Sequence, residues 1–299
     1  MIHKISVVIN TLNEEEHIDR VINSVKWADE IIICDMHSVD KTVEKAKKLG
    51  AKIVYHKKED FVELARNFAV SKAANDWVLV LDPDEEMQES LRERLIQISE
   101  RMNQIDYVRI PRKNLIFDEW VKSSMWWPDL NIRFFRKGKV SWTNQIHRPP
   151  ETLGEGIDLP SEEQWAIVHH HYNSVAQFLE RMNRYTKVQA DQLKKEGYKF
   201  EWQDLIRKPL GEFLSRFFAN KGYEDGVHGL ALGLLQAFSQ LVLYLRIWEM
   251  EGFKSKDISW EDLTFTGKQS GKEIDYWFKY GNLSKNPFKR FVQKVKNAV

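Results

Sequence analysis

The stretch Trp77–Glu86 reads WVLVLDPDEE and joins a short apolar run to a group of acids. Its first part, Trp77–Leu81, is almost wholly apolar and rich in strand-forming residues. This composition predicts a strand buried on both faces, as in a parallel sheet that is covered by helices. Pro83 has no backbone N–H to extend a central ladder, so the strand is expected to end just before it.

The two aspartates that flank Pro83 form a candidate metal site. Side chains two residues apart on an extended chain point the same way, so Asp82 and Asp84 are expected to face one object. Open α/β sheets bind ligands at the carboxyl edge of their strands. Mg²⁺ or Mn²⁺, which takes oxygen ligands and carries phosphate groups, fits this edge. Asp-Pro-Asp is also common turn chemistry, and a plain turn is the alternative.

Composition limits the class of protein. The chain has 299 residues, of which 42% are hydrophobic and 30% charged, as in ordinary globular proteins. A net charge of +1 gives no reason to expect nucleic acid as a partner. One cysteine, Cys34, excludes an intramolecular disulfide and fits a reducing compartment. The N-terminal residues enter a strand pattern without a signal-peptide pattern, which predicts a cytoplasmic protein.

Apolar runs alternate with helical periodicity through the first 111 residues. This alternation indicates βαβ units, and it predicts an α/β fold with a mostly parallel, Rossmann-like sheet and helices on both faces. Asn13 stands three residues before Glu16, the spacing of a capping box for the first helix. The predicted strands are Ile5–Ile9, Glu30–Cys34, Lys52–Tyr55, Trp77–Leu81 and Tyr107–Pro111.

The first two strands end in polar residues instead of a glycine-rich phosphate loop. Neither G-x-G-x-x-G nor G-x-x-x-x-G-K-[ST] occurs, which argues against a dinucleotide enzyme or a P-loop NTPase. Asn10, Thr11, Asn13 and Glu14 follow the first strand, and Asp35 follows the second. Their hydrogen-bonding groups suit a nucleoside base and its ribose.

Four segments, taken in order, carry a family resemblance. ISVVINTLNEE, IIICDMHSVDKT, LARNFAV and WVLVLDPDEE resemble the successive motifs of family 2 glycosyltransferases with the GT-A fold. The sequence looks most like bacterial enzymes of the lipopolysaccharide-core glucosyltransferase type. The resemblance implies transfer of a sugar from a nucleotide donor, usually a UDP-sugar, with inversion at the anomeric carbon and with Mn²⁺ or Mg²⁺ as cofactor.

Residue by residue, the resemblance implies roles for ten positions. Asp82 and Asp84 match the pair of acids that holds nucleotide and metal. Enzymes with this fold often add a histidine ligand, and His169 and His171 share one face of the predicted strand Gln164–Tyr172. The alternative is that this run of histidines is an ordinary polar strand edge. The nucleotide-sugar-binding positions are Thr11, Asn13, Glu14, Asp35, Arg66, Asn67 and Asp82.

Residues after the nucleotide-sugar half are expected to bind the acceptor. Trp126 and Trp127 stand close to Asp129, and exposed tryptophans beside an acid would form a sugar platform. The alternative is that they cover the edge of the sheet. Arg133 and Arg136 are candidates to face phosphates, with an ordinary surface arginine as the alternative for at least one of them.

The general base is the least defined position. Inversion requires one base near the acceptor hydroxyl. Many relatives carry His-Glu where this sequence has His147-Arg148, so the matching glutamate is missing. Asp129 and Glu151 are the candidates, with Asp129 favoured by the neighbouring tryptophans. The acids that also stay open are Asp158, Glu162 and Glu163.

The predicted domains are a GT-A catalytic domain over 1–200 and a helical extension over 201–299. The catalytic domain divides into a nucleotide-sugar half, 1–111, and an acceptor half, 112–200. In the extension, Gly229–Leu245 is nearly apolar all round, which fits a buried core helix, a homodimer contact or a helix on the bilayer surface.

The C-terminal end adds a second indication of membrane contact. Residues 288–296 combine an apolar face with lysines and arginine, a pattern typical of helices that lie on anionic membranes. A solvated terminal helix is the alternative. The pattern favours peripheral attachment to the inner face of the cytoplasmic membrane.

Together these observations predict an enzyme that moves a sugar from a nucleotide donor to a glycan or lipid-linked acceptor in cell-envelope polysaccharide synthesis. A sugar nucleotidyltransferase is an alternative, but it is expected to carry a Gly- and Arg-rich loop after its first strand, which INTLNEEEH lacks. A non-catalytic binding protein that retains the fold is a further alternative, supported only by the altered His147-Arg148 position.

Overall fold

The computed structural model describes residues 4–59, 62–143 and 149–280. They form two compact units: the first comprises residues up to 115 together with 127–171, and the second comprises 116–126 together with the chain from 172 onward. The segments 116–126 and 172–200 therefore group with the C-terminal helices. The predicted domain boundary at residue 200 stays a prediction.

Strands and helices alternate along the first unit, and helices dominate the second. The described strands are β1 (Ile5–Thr11), β2 (Glu30–Asp35), β3 (Lys52–Tyr55), β4 (Trp77–Leu81), β5 (Glu85–Glu86), β6 (Ile105–Ile110), β7 (Arg112–Ile116), β8 (Glu119–Trp120), β9 (Asn131–Arg136), β10 (Val140–Ser141), β11 (Glu151–Thr152), β12 (Glu155–Asp158) and β13 (Ile167–Tyr172). The described α-helices are α1 (Ile18–Ser24), α2 (Thr42–Lys48), α3 (Val62–Ser71), α4 (Glu89–Arg101), α5 (Val175–Lys195), α6 (Asp204–Leu214), α7 (Gly226–Met250) and α8 (Trp260–Tyr280).

The main sheet of the first unit contains seven strands in the order β12–β6–β9–β4–β1–β2–β3. Four neighbouring pairs are parallel, and β9 runs antiparallel to β6 and to β4. The predicted α/β class with a mostly parallel sheet is therefore confirmed. The strand β4 is buried throughout, as expected. We expected parallel neighbours on both sides of β4, but β9 runs antiparallel to it.

Helices cover both faces of this sheet, as predicted. On one face, Ile9 of β1 and Leu81 of β4 belong to a core that includes side chains of α1 and α4. On the other face, Val8 and Val80 pack in a core with Ala69 of α3. Each fully buried Val, Ile or Leu side chain contributes about 1.5–3 kcal/mol relative to an exposed one. This two-sided burial fixes the carboxyl edge of β1, β2 and β4, where the polar strand ends lie.

The predicted capping box between Asn13 and Glu16 is wrong. Helix α1 begins at Ile18, and no side chain caps its N-terminus. Asn13 adopts a left-handed backbone with φ 57°, and its Oδ1 accepts a hydrogen bond from the Val39 N–H at 2.9 Å. The Asn13 side chain thus joins the loop after β1 to the loop after β2. Local sequence spacing does not reveal such a long-range contact.

Two smaller sheets complete the strands of the first unit. β10 pairs antiparallel with β11, and β5 pairs antiparallel with β13, which belongs to a small sheet that also contains β7. Because β5 follows β4 after a short turn, this small sheet begins directly beside the aspartates of the predicted metal site. Three single-turn helices, Glu163–Trp165, Ser215–Ala219 and Gly222–Asp225, lie between the longer elements.

In the second unit, α5 begins where the sequence predicts, with the Ser174 hydroxyl accepting a hydrogen bond from the Gln177 N–H. Helix α7 packs closely on the turn before it, since a Cβ at Gly229 would lie only 1.7 Å from the Gly222 carbonyl oxygen. Among the described residues, one stretch, Gly222–Met250, is long and apolar enough to cross a membrane, and a third of its most apolar window is buried. The predicted basic helix at 288–296 lies outside the described residues.

Candidate active site

The carboxyl ends of β1, β2 and β4 bring together three of the predicted donor-binding residues. Thr11 pairs with Asp35 in the register of β1 and β2, and its hydroxyl donates a hydrogen bond of 2.9 Å to Asp35 Oδ1. Ile9 of β1 pairs with Leu81 of β4, so Asp82 follows at the same edge of the sheet. The structure therefore assembles the polar cluster that the strand ends predict.

Asp35 organises the loops that follow β1 and β2. The carboxylate is fully buried and accepts hydrogen bonds from the hydroxyl and the backbone N–H of Ser38, at 2.6 and 2.8 Å. The Asn13 N–H in turn donates to the Ser38 hydroxyl, and the Glu14 N–H donates to the Thr42 hydroxyl. Asn13 and Glu14 are thus fixed beside Asp35 by contacts that span about 25 residues of sequence.

An exposed aromatic pair stands at the same edge and is absent from the sequence-based site. The rings of His37 and Tyr55 stack with centroids 5.6 Å apart and planes 15° apart. His37 follows the end of β2, and Tyr55 is the last residue of β3. Their position after parallel strands is the signal that would have revealed them, since ligands bind at this edge.

The two aspartates of the predicted metal site lie in a tight turn. The Glu85 N–H donates to the Asp82 carbonyl at 3.0 Å, so the chain reverses directly after β4. The chain therefore turns at Pro83, so the extended-chain geometry that predicts a shared direction for Asp82 and Asp84 does not apply, and the metal role of the two acids stays a prediction. The side chain of Asp82 contacts arginines, whereas Asp84 Oδ2 lies 3.6 Å from His169 Nε2.

Asp82 is held between two guanidinium groups. Its Oδ1 accepts from Arg66 Nη2 and its Oδ2 from Arg133 Nη2, each at 2.5 Å. Burial alone would raise the pKa of Asp82, but Arg133 and Arg66 hold that pKa well below its usual range. Asp82 is therefore ionised. Arg66, predicted to reach the donor, bonds directly to this acid.

Arg133, a sequence-based candidate to face phosphates, forms a buried ion pair with Glu85, which the sequence-based site does not include. Arg133 is 2% exposed, and its Nη2 bonds to Glu85 Oε1 at 2.5 Å as well as to Asp82. Glu85 is fully buried, and its Oε2 accepts the Asp82 N–H at 2.8 Å. Strand alternation places Arg133 on the same face as the core residue Phe135, a signal that would have revealed its burial. Arg136, on the other face, lies over the Trp77 ring and is structural.

The histidines of β13 lie next to Asp84. Asn114 Nδ2 donates to the Asp129 carboxylate at 3.1 Å, so its Oδ1 faces His169 Nδ1 at 2.6 Å. Because an amide oxygen only accepts, His169 Nδ1 is the donor of this hydrogen bond, and Nε2 is the ring nitrogen on the side of Asp84. That Nε2 lies 3.6 Å from Asp84 Oδ2 and 3.3 Å from His171 Nδ1.

As they stand, no three metal-type side chains of the described residues surround one point. The donor set of Asp84, His169 and His171 nevertheless fits a divalent cation in chemistry, since it offers one carboxylate oxygen and two imidazole nitrogens. Imidazole ligands favour Mn²⁺ over Mg²⁺, which prefers oxygen.

Asp129, the first candidate for the general base, is an arginine-paired carboxylate. Its Oδ2 accepts from Arg112 Nη2 at 2.7 Å and from Asn114, and its Oδ1 accepts from Asn131 at 3.1 Å. Burial would raise the pKa of Asp129, but Arg112 and the two amides lower it below its usual range. A carboxylate with lowered basicity and occupied oxygens is a weak proton acceptor in this arrangement.

Glu151, the second candidate, is exposed and pairs with Ser141 in the β10–β11 hairpin. The next residue after Ser141 is Trp142, whose ring lies 5.7 Å from the Arg66 guanidinium. Asn67, predicted to reach the donor, instead binds both backbone groups of Trp142, with Nδ2–O at 2.7 Å and Oδ1–N at 2.9 Å. Glu151 is thereby connected to the donor edge through the Trp142 backbone.

The remaining candidates are distributed more widely. Trp126 belongs to an apolar cluster of the second unit, where it lies 5.9 Å from the Arg216 guanidinium, and half-buried Trp127 belongs to the first unit. The sugar platform stays a prediction. Asp158 and Glu163 form ion pairs with Arg109 and Lys113, and Glu162 accepts from Gln164. The altered His147-Arg148 position lies outside the described residues.

Comparison with known proteins agrees with the geometry. The family model described as Glycosyl transferase family 2 matches residues 6–152. An uncharacterized glycosyltransferase of Rickettsia typhi is 32% identical over 264 residues, which cover 85% of this chain and 90% of that protein. The lipopolysaccharide core biosynthesis glycosyltransferase LpsC of Rhizobium meliloti is 22% identical over 84% of this chain and 94% of its own length.

Among solved structures, glucosyl-3-phosphoglycerate synthase from Mycobacterium tuberculosis, in complex with Mn²⁺, UDP and glucosyl-3-phosphoglycerate, matches with a TM-score of 0.32 and 24% identity. The match covers 38% of this chain and 44% of that structure.

Proposed function

This chain belongs to glycosyltransferase family 2 and is therefore a glycosyltransferase. From this we propose that it transfers a sugar from a UDP-linked donor to a glycan or lipid-linked acceptor, with inversion at the anomeric carbon. The observation that carries the proposal is the acidic turn after β4, where Asp82 and Asp84 stand beside the Thr11–Asp35 pair at the carboxyl edge of the sheet. Open α/β sheets bind nucleotides at such an edge.

The nucleoside part of the donor is proposed to bind along the ends of β1, β2 and β3. Asp35, buried and bonded to Thr11 and Ser38, is proposed to fix the strand ends and the loop against which a base or ribose would bind. The stacked rings of His37 and Tyr55 add a flat, exposed surface of the kind that bases and riboses contact. Asn13 and Glu14 lie in the adjoining loop, where their backbone is already fixed.

The diphosphate is proposed to bind at the acidic turn together with Mn²⁺, held by Asp84 with His169 and His171 and supported by Asp82. When bound, the ion supplies Lewis-acid stabilisation of the negative charge on the departing nucleotide. Arg66 and Arg133 pair with Asp82, whereas Asp84 Oδ2 lies 3.6 Å from His169 Nε2, on the side of the two histidines. Mg²⁺ is the weaker candidate because the donor set includes nitrogen.

For the general base we favour Glu151 over Asp129. The oxygens of Asp129 are occupied by Arg112, Asn114 and Asn131, which lowers its pKa. Glu151 is exposed and is connected through Trp142 to the residues around Asp82. In this arrangement Glu151 takes the proton of the acceptor hydroxyl, and Asp129 orients Arg112 and Asn114.

The acceptor is proposed to be a cell-envelope glycan of the lipopolysaccharide-core type. LpsC of Rhizobium meliloti, named for lipopolysaccharide core biosynthesis, aligns with most of this chain. Trp126 and Trp127 are the proposed sugar-contacting residues on the acceptor side, because large aromatic rings bind sugar faces well.

We propose that the enzyme works in the cytoplasm, attached peripherally to the inner face of the cytoplasmic membrane. Helix α7 carries a row of exposed apolar side chains, among them Leu234, 53% exposed, and Phe238, 46% exposed. The row contains no charged residue over 227–245 and is about 27 Å long at 1.5 Å per residue. Its members are Val227, Leu230, Leu234, Phe238 and Leu245.

A thermal-shift screen of nucleotide sugars with Mn²⁺ tests the proposed donor. Ligand binding to the native state raises stability by about 2.7 kcal/mol at a ligand concentration of 100 Kd. UDP-sugars are expected to raise the melting temperature, and more so with Mn²⁺ than with EDTA. Equal shifts from ADP- and GDP-sugars, or no shift from any UDP-sugar, would contradict the proposal.

A further inference from the structure

A buried arginine and a buried glutamate support the first acid of the turn from behind. Arg133 Nη2 bonds at 2.5 Å to Asp82 Oδ2 and at 2.5 Å to Glu85 Oε1, so one nitrogen lies between two carboxylates. Glu85 Oε2 also accepts the Asp82 N–H at 2.8 Å. Both the side chain and the backbone of Asp82 are therefore held by this pair.

The pair comes from two different elements, which makes it a device of the tertiary fold. Arg133 lies on β9, the strand antiparallel to β4, and Glu85 lies at the start of β5 after the turn. Arg133 is 2% exposed and Glu85 is fully buried, so neither side chain is available as a surface group. A buried charge is retained only when it is paired and hydrogen-bonded.

The second arginine at Asp82 differs from Arg133. Arg66 projects from α3 and binds only the other carboxylate oxygen, Oδ1, at 2.5 Å, while its ring contact is with Trp142. Without Arg133, the carboxylates of Asp82 and Glu85 would face each other across the space of one nitrogen atom. The arginines that remain would be Arg66 on Asp82 Oδ1 and Arg112, whose Nη1 lies 3.3 Å from Glu85 Oε1. Like charges at that separation repel strongly in a buried site, so the turn would not keep its geometry.

Asn10 adds an independent sign that this side of the edge is built to contact a ligand. Asn10 is 4% exposed and lies on the same face of β1 as the core residue Val8; among the described residues, neither its Oδ1 nor its Nδ2 has a hydrogen-bond partner. The Nε atoms of Arg66 and Arg133 are likewise buried without a partner. Unsatisfied buried polar groups are rare and indicate a ligand or water that completes them.

We propose that Arg133, held by Glu85, is a positioning residue of the donor site that acts through Asp82: it fixes the direction of the Asp82 carboxylate toward the nucleotide sugar. The proposal rests on the proposed function, in which Asp82 binds the donor. Arg133 itself is not assigned a contact with the reacting atoms.

A double-mutant cycle on UDP binding tests this role, since it separates action through Asp82 from a general effect on the fold. The dissociation constant of UDP with Mn²⁺ is measured by calorimetry for the full chain, for Arg133→Met, for Asp82→Asn and for the double variant. Arg133→Met is expected to weaken UDP binding by about 10- to 100-fold, the usual effect of removing a supporting partner. In the Asp82→Asn background, Arg133→Met is expected to change the dissociation constant by less than about twofold.

Two further variants make the test independent of folding. Arg136→Met, on the same strand but directed at Trp77, is the matched control and is expected to leave the UDP dissociation constant unchanged. Arg133→Lys keeps the charge, and it is expected to recover part of the lost affinity if Arg133→Met does not fold. Circular dichroism verifies the fold of every variant.

The positioning role of Arg133 and the proposed donor binding by Asp82 would fail in different ways. UDP binding that is normal in Arg133→Met but lost in Asp82→Asn overturns the positioning role and leaves the proposed function intact. Fully additive losses in the double variant also overturn it. Normal UDP binding in Asp82→Asn would instead contradict the proposed function itself.

Discussion

Asn114 Oδ1 lies 2.6 Å from Nδ1 of His169, and both side chains are buried. Since Asn114 also donates to Asp129 at 3.1 Å, its amide orientation is fixed, and it holds the His169 ring with Nε2 toward Asp84. A histidine ligand is commonly oriented in this way by a hydrogen bond from its other nitrogen.

Asn114→Ala is therefore expected to weaken Mn²⁺ binding, measured by calorimetry in the presence of UDP, by about 10- to 100-fold. Asn131→Ala is the matched control, because Asn131 binds the same Asp129 carboxylate without contacting His169. It is expected to leave the Mn²⁺ affinity within about twofold of the wild type. Equal losses in both variants would show that Asn114 acts through Asp129 and not through His169.

The choice between the two base candidates leads to a kinetic prediction. Glu151→Gln is expected to lower kcat by about 10²- to 10⁴-fold while the UDP dissociation constant stays unchanged, because a general base acts only in the chemical step. Asp129→Asn is expected to reduce kcat less, since Asp129 is paired with Arg112 and has a lowered pKa. Transfer kinetics with a saturating donor measure both; the reverse order of effects would assign the base to Asp129.

Cys34 provides a probe of the sheet. The thiol is fully buried in the core beneath α3, and burial, with the nearby Asp35 carboxylate, raises the pKa of Cys34 to about 11. At pH 8 only about one thiol in a thousand is then ionised. Native protein is expected to show almost no reaction with a thiol reagent until urea unfolds it. Rapid labelling of native protein at pH 8 would contradict the burial of β2.

The exposed row on α7 leads to a prediction about membranes. The double variant Leu234→Ser, Phe238→Ser is expected to reduce co-sedimentation with liposomes of anionic lipid, because each substitution removes apolar area from the contact. Val175→Ser, an exposed apolar residue on α5, is the matched control and is expected to bind as the wild type. If the wild type does not sediment with liposomes but forms a dimer that the double variant loses, the row is a dimer contact.

Much of the first unit follows from local patterns. The strand Trp77–Leu81 has the predicted bounds, because an apolar run that ends at proline is a strong signal, and Thr11, Asp35 and Asp82 lie at one edge because parallel strands end together. The turn after β4, which the sequence suggests only as an alternative to an extended chain, is shown by the hydrogen bond from the Glu85 N–H to the Asp82 carbonyl.

The contacts of the site that the sequence does not predict join residues far apart in the chain. Arg133 lies 51 residues from Asp82, and Asn114 lies 55 residues from His169, distances over which no spacing rule applies. The sequence predicts that Asn13 caps a helix. In the structure its side chain accepts a hydrogen bond from the Val39 N–H, in the loop after β2, in place of a helix N–H. Asn67 likewise binds the Trp142 backbone, a partner 75 residues away.

The acidic turn is proposed to bind a nucleotide diphosphate through a divalent cation. The most direct measurement is the UDP dissociation constant with Mn²⁺ and with EDTA, for the wild type and for Asp84→Ala, with the exposed-acid variant Glu89→Gln as control. We expect Mn²⁺ to tighten UDP binding by about tenfold or more in the wild type and the control, and to have no effect in Asp84→Ala. Equal UDP affinity with Mn²⁺ and EDTA in the wild type, together with unchanged binding in Asp84→Ala, would contradict the claim.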